Sequence, residues 1–312
     1  MALPKVFHTL VQEVKSVAVQ GATSVADATL HEFVRYVFQN EPRTHKDIAD
    51  LRGIAHELGL LRPTEPLTRN LLQFFLQQIR KTKLSKTINT WTAQVEQAQG
   101  EVEYLSRQAL AAVTFHGAKL VHAGDTIFTH CHSSVAENIL TAAHRANKRF
   151  TVYHTETRPL YQGRVTDTKL RAAHVRTIMV ADSAAAFLIS DHSGDDVSVD
   201  WVLLGADSVA RDGSVLNKVG SFGIALAAYD SKLPVYVAAS LLKMDWLGQS
   251  RIEMRNGMEL WPNAPKSAQI LNYAFDRVPA HYITGVVTEF GILPPSKLAA
   301  TVRAKYPWLT KR

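Results

Sequence analysis

Two periods of apolar residues divide this chain. From residue 1 to about 112, apolar positions recur at three- and four-residue intervals, as in Leu30, Phe33, Val34, Val37 and Phe38, and again in Leu71, Leu72, Phe75, Leu76 and Ile79. That spacing gathers them on one face of a helix, so the first part reads as an all-helical domain. Leu58-Gly59 followed by Pro63 and Pro66 marks a helix stop and a turn, and a longer polar helix over about 85–112 leads onward. From about residue 117 the pattern changes to short β-branched or aromatic runs at 126–129, 150–154, 177–181, 201–205, 235–239 and 283–288. Helical stretches at 134–146, 166–173, 183–189 and 221–231 separate them. Alternation of strand and helix predicts an α/β fold: a Rossmann-like, doubly wound parallel sheet over 113–312, preceded by a helical domain over 1–112 with its connecting helix. The polar stretch 190–198 reads as an exposed loop.

Composition narrows the class. The chain has 312 residues, 46% of them apolar, which suits one large or two ordinary domains. Its formal charge of +7 is scattered. The densest basic run, Arg80-Lys-Thr-Lys-Leu-Ser-Lys86, carries no interleaved aromatic platform and reads as a solvated linker rather than a nucleic-acid patch. A mild positive field suits a phosphorylated substrate. The single cysteine, Cys131, excludes an internal disulfide framework and Cys-based zinc sites. No secretory leader or membrane-length apolar run is visible, so a cytoplasmic protein with no membrane partner is expected. The 13 histidines form no His-Glu-x-x-His, so neither a metal nor another cofactor is expected.

In a parallel sheet the carboxyl ends of the strands share one rim, where ligands bind. Cys131-His-Ser-Ser134 follows the first strand and runs into a helix start. Its thiol has two readings, a reactive group or a small buried hydrophobe. Ser133 and Ser134 serve equally as a phosphate site or as ordinary helix caps. After the second strand come Glu156, Arg158 and Gln162; Arg158 suits bidentate phosphate binding, or pairs with Glu156 to hold a loop. Asp207 directly follows a buried apolar strand, where a carboxylate is costly unless paired or functional. Asn217 and Lys218, read as opening a helix, supply donors, and Lys243 adds a cation after the fifth strand. A thiol and a carboxylate on one rim with phosphate-binding groups describe acid–base chemistry on a sugar phosphate, and aldose–ketose isomerisation fits best. Asp207 suits the ring oxygen and hydroxyl protons, Cys131 the carbon-bound proton.

These residues carry a resemblance over nearly the whole chain. Thr155-Glu-Thr-Arg-Pro-Leu-Tyr-Gln-Gly163, Gly205-Ala-Asp-Ser-Val209, Gly213-Ser-Val-Leu-Asn-Lys-Val-Gly220, Pro234-Val-Tyr-Val-Ala-Ala239 and Thr288-Glu-Phe-Gly291 resemble the superfamily of three kinds of protein. It holds ribose-1,5-bisphosphate isomerase, methylthioribose-1-phosphate isomerase and the regulatory α, β and δ subunits of a translation-initiation exchange factor. The resemblance implies Cys131 and Asp207 as a catalytic pair, which the exchange-factor subunits generally lack. Length, the short Asn-Lys segment and the terminal Thr-Glu-x-Gly resemble the ribose-1,5-bisphosphate enzymes more, and imply a nucleotide-salvage role. It further implies that Gln20, Gly21, Ala22, Thr23, Arg69, His132, Ser133, Ser134, Arg158, Asn217, Lys218 and Lys243 bind the phosphorylated ribose. A homodimer is implied too, with a hexamer as further assembly. The chain departs from the pattern at Gln20-Gly-Ala-Thr23, where Arg usually stands first, and at His132, Ser240 and Met244. The departures at Gln20, His132 and Ser240 favour, as an alternative, a non-catalytic regulatory subunit binding a sugar phosphate or nucleotide; methylthioribose-1-phosphate isomerisation is a third reading.

Overall fold

The computed structural model describes residues 2–19, 21–42, 44–83, 90–190 and 197–310. Gln20, residues 84–86 of the basic run and residues 191–196 of the expected loop lie outside the described residues.

The first part is helical, as its period predicts: α1 His8–Lys15, α2 Ala22–Gln39, α3 His45–Gly59, α4 Pro66–Lys83 and α5 Trp91–Leu120. α3 opens on a reciprocal capping box, in which Thr44 and Asp47 each bond the other's backbone N–H, and it stops at Gly59. Phe33 of α2 packs edge-on against Phe75 of α4, with ring centroids 5.9 Å apart, and both are fully buried. The connecting helix α5 starts at Trp91, after Thr90 accepts the Ala93 N–H, and continues past residue 112 to Leu120. No described helix is long and apolar enough to cross a membrane.

The rest of the chain runs β1 Thr126–Thr129, α6 Ser134–Arg145, β2 Thr151–Thr155, α7 Gln162–Ala172, β3 Arg176–Val180, α8 Ala185–Ile189, β4 Trp201–Gly205, β5 Ser208–Ala210, β6 Val215–Lys218, α9 Ser221–Asp230 and β7 Val235–Ala238. It ends with β8 Met244–Asp245, β9 Met254–Arg255, β10 Asn272–Tyr273, β11 Phe275–Val278, β12 Gly285–Thr288, β13 Gly291–Leu293 and α10 Leu298–Lys305. The main sheet is ordered β13-β12-β7-β4-β1-β2-β3, parallel except for the antiparallel edge strand β13. All six expected strands are in it, and their order is that of the doubly wound dinucleotide-binding sheet. One apolar core joins both parts, running from Phe7, Phe33 and Phe75 to Phe128, Val202 and Val237.

The pattern did not foretell the second sheet, β11-β6-β5-β8, or the β9–β10 ribbon. Asn217 and Lys218, expected at a helix entrance, are instead the last residues of β6, opposite Asp276 and Phe275. α9 begins three residues later, after Gly220 at φ +108°, a conformation that favours glycine.

Candidate active site

Strands β1 and β4 are neighbours, but β1 continues to β2 on one side and β4 to β7 on the other. Their loops therefore diverge and leave a crevice at the carboxyl ends, the place where such sheets hold ligands. Thr129 pairs with Leu203 across it, and the Thr129 hydroxyl donates to the Leu203 carbonyl at 2.7 Å. Cys131 lies just beyond one strand end and Asp207 just beyond the other.

The loop after β1 is bent by hydrogen bonds rather than by glycine. Cys131 sits at φ +67°, a left-handed backbone that costs a side-chain-bearing residue free energy. Its N–H donates to Thr157 Oγ1 at 3.1 Å, and its carbonyl accepts from Thr166 Oγ1 at 2.9 Å. Thr157 Oγ1 lies 3.0 Å from Thr155 Oγ1, which lies 2.6 Å from His130 Nδ1. The other His130 nitrogen, Nε2, faces the Val219 carbonyl at 2.9 Å, so Nε2 carries the proton and Nδ1 accepts from Thr155. Burial holds His130 neutral, pushing it down to about 4. The Asp182 carboxylate completes the frame by accepting the N–H groups of Thr157 and Arg158 at 2.8 and 2.6 Å.

A cavity of about 430 Å³ fills the crevice. Cys131, His132, Ser133, Ser134, Asp207, Asn217, Lys218 and Lys243 line it, as do Gly21, Ala22 and Thr23 from the helical part. The first turns of three helices, α2, α6 and α7, open onto it through Ala22 to Ser24, Ser134 and Gln162. Ser133 also caps α6, accepting the Ala136 N–H. Lys243 is buried and donates to the Ala206 carbonyl at 2.7 Å. The Asn217 amide donates to Ser221 Oγ at 2.8 Å.

The protonation of the two central groups follows from this dehydrated setting. Burial pushes the Cys131 thiol up to about 11, against the pull of Lys218, with Asp207 adding to the rise. Burial also raises the Asp207 carboxyl, opposed by Lys243, Lys218 and Arg62. Lys243 is held below the usual ammonium range by burial, with Asp207 and Glu65 supporting its charge.

Two expected phosphate ligands lie elsewhere. Arg69 pairs with Asp245 and borders a different cavity, because the phase of α4 turns it toward β8. Arg158 bonds the Tyr161 hydroxyl and the Leu260 carbonyl and is not among the lining residues; Glu156 pairs with Arg164 at 3.3 Å.

The cavity also has charged lining residues that the sequence reading passed over: Arg62, Glu65, Lys169 and Arg255. Arg62 and Glu65 are buried and paired at 2.8 Å, with Arg62 also 3.0 Å from Glu253. Burial pushes Glu65 up to about 7, even beside Arg62. Arg62 Nη1, Glu65 Oε2 and Gln162 Oε1 are buried without a hydrogen-bond partner. The available signal was an Arg-Pro-Thr-Glu turn between Leu60-Leu61 and Pro66-Leu67, charge inside an apolar stretch.

Comparison with known proteins agrees with this architecture. The model of the Initiation factor 2 subunit family matches residues 18–295. The ribose 1,5-bisphosphate isomerase of Haloferax volcanii is 31% identical, over 95% of this chain and 93% of its own. The methylthioribose-1-phosphate isomerase of Pelotomaculum thermopropionicum is 30% identical, over 93% of this chain and 83% of its own. Among solved structures, the translation initiation factor eIF-2B of Pyrococcus horikoshii superposes with a TM-score of 0.76 at 25% identity, covering 95% of this chain and 99% of that one. With a family match across most of its length and full-length relatives that are isomerases, this chain belongs to the Initiation factor 2 subunit family and is an enzyme of its isomerase kind.

Proposed function

We propose that the protein converts α-D-ribose 1,5-bisphosphate to D-ribulose 1,5-bisphosphate, with Cys131 and Asp207 as the proton-transfer pair. The observation that carries this reading is one cavity holding a thiol and a carboxylate, three helix first turns and the cations Lys169, Lys218 and Lys243. Two phosphates need separate supports, and helix N-termini with flanking lysines supply them. Gly21, Ala22 and Thr23 offer one support, Ser133 and Ser134 with Asn217, Lys218 and Lys243 the other, and His132 borders the second. The Haloferax volcanii relative bears the name of this reaction.

The pair needs to hold one proton in total. At rest that proton is on Cys131, whose thiol titrates far above neutrality. Passing it to Asp207, whose own carboxyl is raised by burial, leaves a thiolate beside the Lys218 cation. Asp207 then donates to the ring oxygen as the C1–O bond to it breaks. The Cys131 thiolate removes the C2 proton, and that electron pair forms the C1–C2 double bond. The Asp207 carboxylate next takes the C2 hydroxyl proton as the ketone forms, and Cys131 returns its proton to C1. That leaves the proton on Asp207; its return to Cys131 restores the resting pair, so no co-reactant is consumed.

The same reading includes a homodimer. Phe222, Leu226 and Tyr229 stand exposed on α9, with Tyr282 packed against Phe222 and Tyr229.

The test is turnover of α-D-ribose 1,5-bisphosphate by the purified protein, with Cys131→Ser and Asp207→Asn beside it. Each variant is expected to lose about a thousandfold or more in kcat while still binding the sugar by calorimetry. Near-normal turnover in either rejects its assigned role; turnover of methylthioribose 1-phosphate alone rejects the substrate.

A further inference from the structure

We propose that a second cavity, between α3, α4 and the turn after β8, is a binding site for a small phosphate-bearing anion. Its volume of about 740 Å³ is room enough for a phosphorylated small molecule. It shares no lining residue with the cavity that holds Cys131 and Asp207. Helical spacing gathers cations on it: Arg52 and His56 lie four apart on α3, and Arg69 and Arg80, eleven apart, lie on one face of α4. No aspartate or glutamate is among its lining residues.

The three arginines are held differently. Arg52 and Arg80 are exposed and pair with no carboxylate among the described residues, so their charges are uncommitted. Arg69 is mostly buried. Its Nη2 pairs with Asp245, while Nη1 is buried without a hydrogen-bond partner. The Asp245 carboxylate is itself shared, since it also accepts the N–H groups of Gln249 and Ser250 at 3.0 and 2.7 Å. Burial consequently holds Arg69 below the usual guanidinium range even beside that carboxylate. A buried donor left unpaired is costly, and native interiors rarely keep one without a use.

These donors select the ligand. Two uncommitted guanidinium charges and one buried N–H match a phosphate dianion, which offers several acceptor oxygens and two charges, better than a single carboxylate. The Trp246 wall adds to the positive field, because the guanidinium groups of Arg211 and Arg303 lie over its ring at 5.7 and 5.3 Å from the centroid.

The test is labelling of the purified protein by phenylglyoxal, which modifies guanidinium groups, with inorganic phosphate or glycerol 3-phosphate as the competing probe. Peptide mass spectrometry follows Arg52 and Arg80, with Arg145, exposed at the end of α6 and outside the cavity, as the reference. At about ten times the dissociation constant, the probe is expected to slow labelling of Arg52 and Arg80 about tenfold, with one midpoint for both, and that of Arg145 less than about twofold. Arg69→Gln, which removes the buried donor, is expected to raise that midpoint about 10- to 100-fold. Arg80→Gln, at an exposed position, gives the same comparison at Arg52 where the Arg69 variant fails to fold. Inorganic phosphate binding as tightly as the ester assigns the bare anion, and tighter binding of the ester assigns an organic phosphate; both support the site. Equal protection of Arg145, separate midpoints for Arg52 and Arg80, or protection that neither substitution weakens overturns it. None of these outcomes depends on which sugar the other cavity turns over.

Discussion

Gly205 is where the two halves of the proposed proton-transfer pair meet mechanically. It ends β4, two residues before Asp207, and a Cβ built on it would lie 2.7 Å from both Cβ and Oγ of Ser133, with Asn217 Oδ1 at 3.8 Å. Carbon contacts relax at about 3.5–4.0 Å, so Gly205→Ala demands a displacement of about 1 Å. β4 is held on both sides, by β1 and β7, and does not yield easily. The Cys131-His-Ser-Ser134 loop gives way instead, carrying the thiol away from the carboxylate. An added methyl in a packed interior costs about 1–3 kcal/mol, a fall of roughly 2–6 °C in Tm for a chain of this size. A 1 Å misplacement of reacting groups costs about 100-fold in rate. The expected result is therefore a kcat near one hundredth of wild type in a protein that still melts cooperatively. Gly100→Ala, in the exposed middle of α5 with nothing within 4 Å of its added Cβ, is the control. It is expected to keep full activity and gain about 0.5–1 kcal/mol. Turnover within threefold of wild type and an unchanged Tm in Gly205→Ala would refute the geometry.

Three further outcomes follow from the charges and the buried amide. At pH 8 a thiol titrating near 11 is about 0.1% ionised, against about 10% at the ordinary 9.0, so iodoacetamide should label Cys131 about 100-fold more slowly than a free thiol; the rate should climb about tenfold per pH unit toward pH 10, and a plateau below pH 9.5 contradicts the raised value. Glu65, raised from 4.5 to about 7, favours the folded state fully only below its unfolded value, and that contribution is lost as pH rises from about 4.5 through 7. Glu65→Gln, which cannot ionise, should thus gain stability relative to wild type across that window in denaturant titrations, and a difference independent of pH would rule this out. Asn70 donates to the Leu242 and Met244 carbonyls at 2.7 and 3.0 Å, on either side of Lys243; Asn70→Ala should cost about 1–3 kcal/mol and raise KM, whereas an unchanged KM would show that this clamp does not position the lysine.

The parallel sheet was legible because its signal is local. Runs such as Trp201-Val-Leu-Leu-Gly205 are buried along their whole length and bounded by polar turns, so six strands appear in the sequence to within about two residues. The helical part was legible for the same reason, since Leu71, Leu72 and Phe75 mark a face that packs on α2. The second sheet has no such signal. Its strands are two to four residues long, and β6 is buried at every position, so neither alternation nor length distinguishes it from a helix entrance. What fixes β6 as a strand is its pairing with β11, some sixty residues onward.

The site divides along the same line between local and distant causes. Residues that follow the ends of the parallel strands, such as Cys131 and Asp207, fell on one rim because strand order alone put them there. Charged residues on helices and turns were not so constrained. Arg69 is a free cation in the sequence and a partner of Asp245 in the fold, 176 positions away. Arg62 and Glu65 lie in a stretch whose prolines, Pro63 and Pro66, announced only a turn, yet Glu253, 191 positions from Arg62, pairs with that arginine. A cation's usefulness to a phosphate depends on which carboxylates have already claimed it, and those claims are made by tertiary neighbours. In this cavity they separate Lys218 and Lys243, which pair with no carboxylate among the described residues, from Lys169, paired with Glu137, and Arg62, held between Glu65 and Glu253.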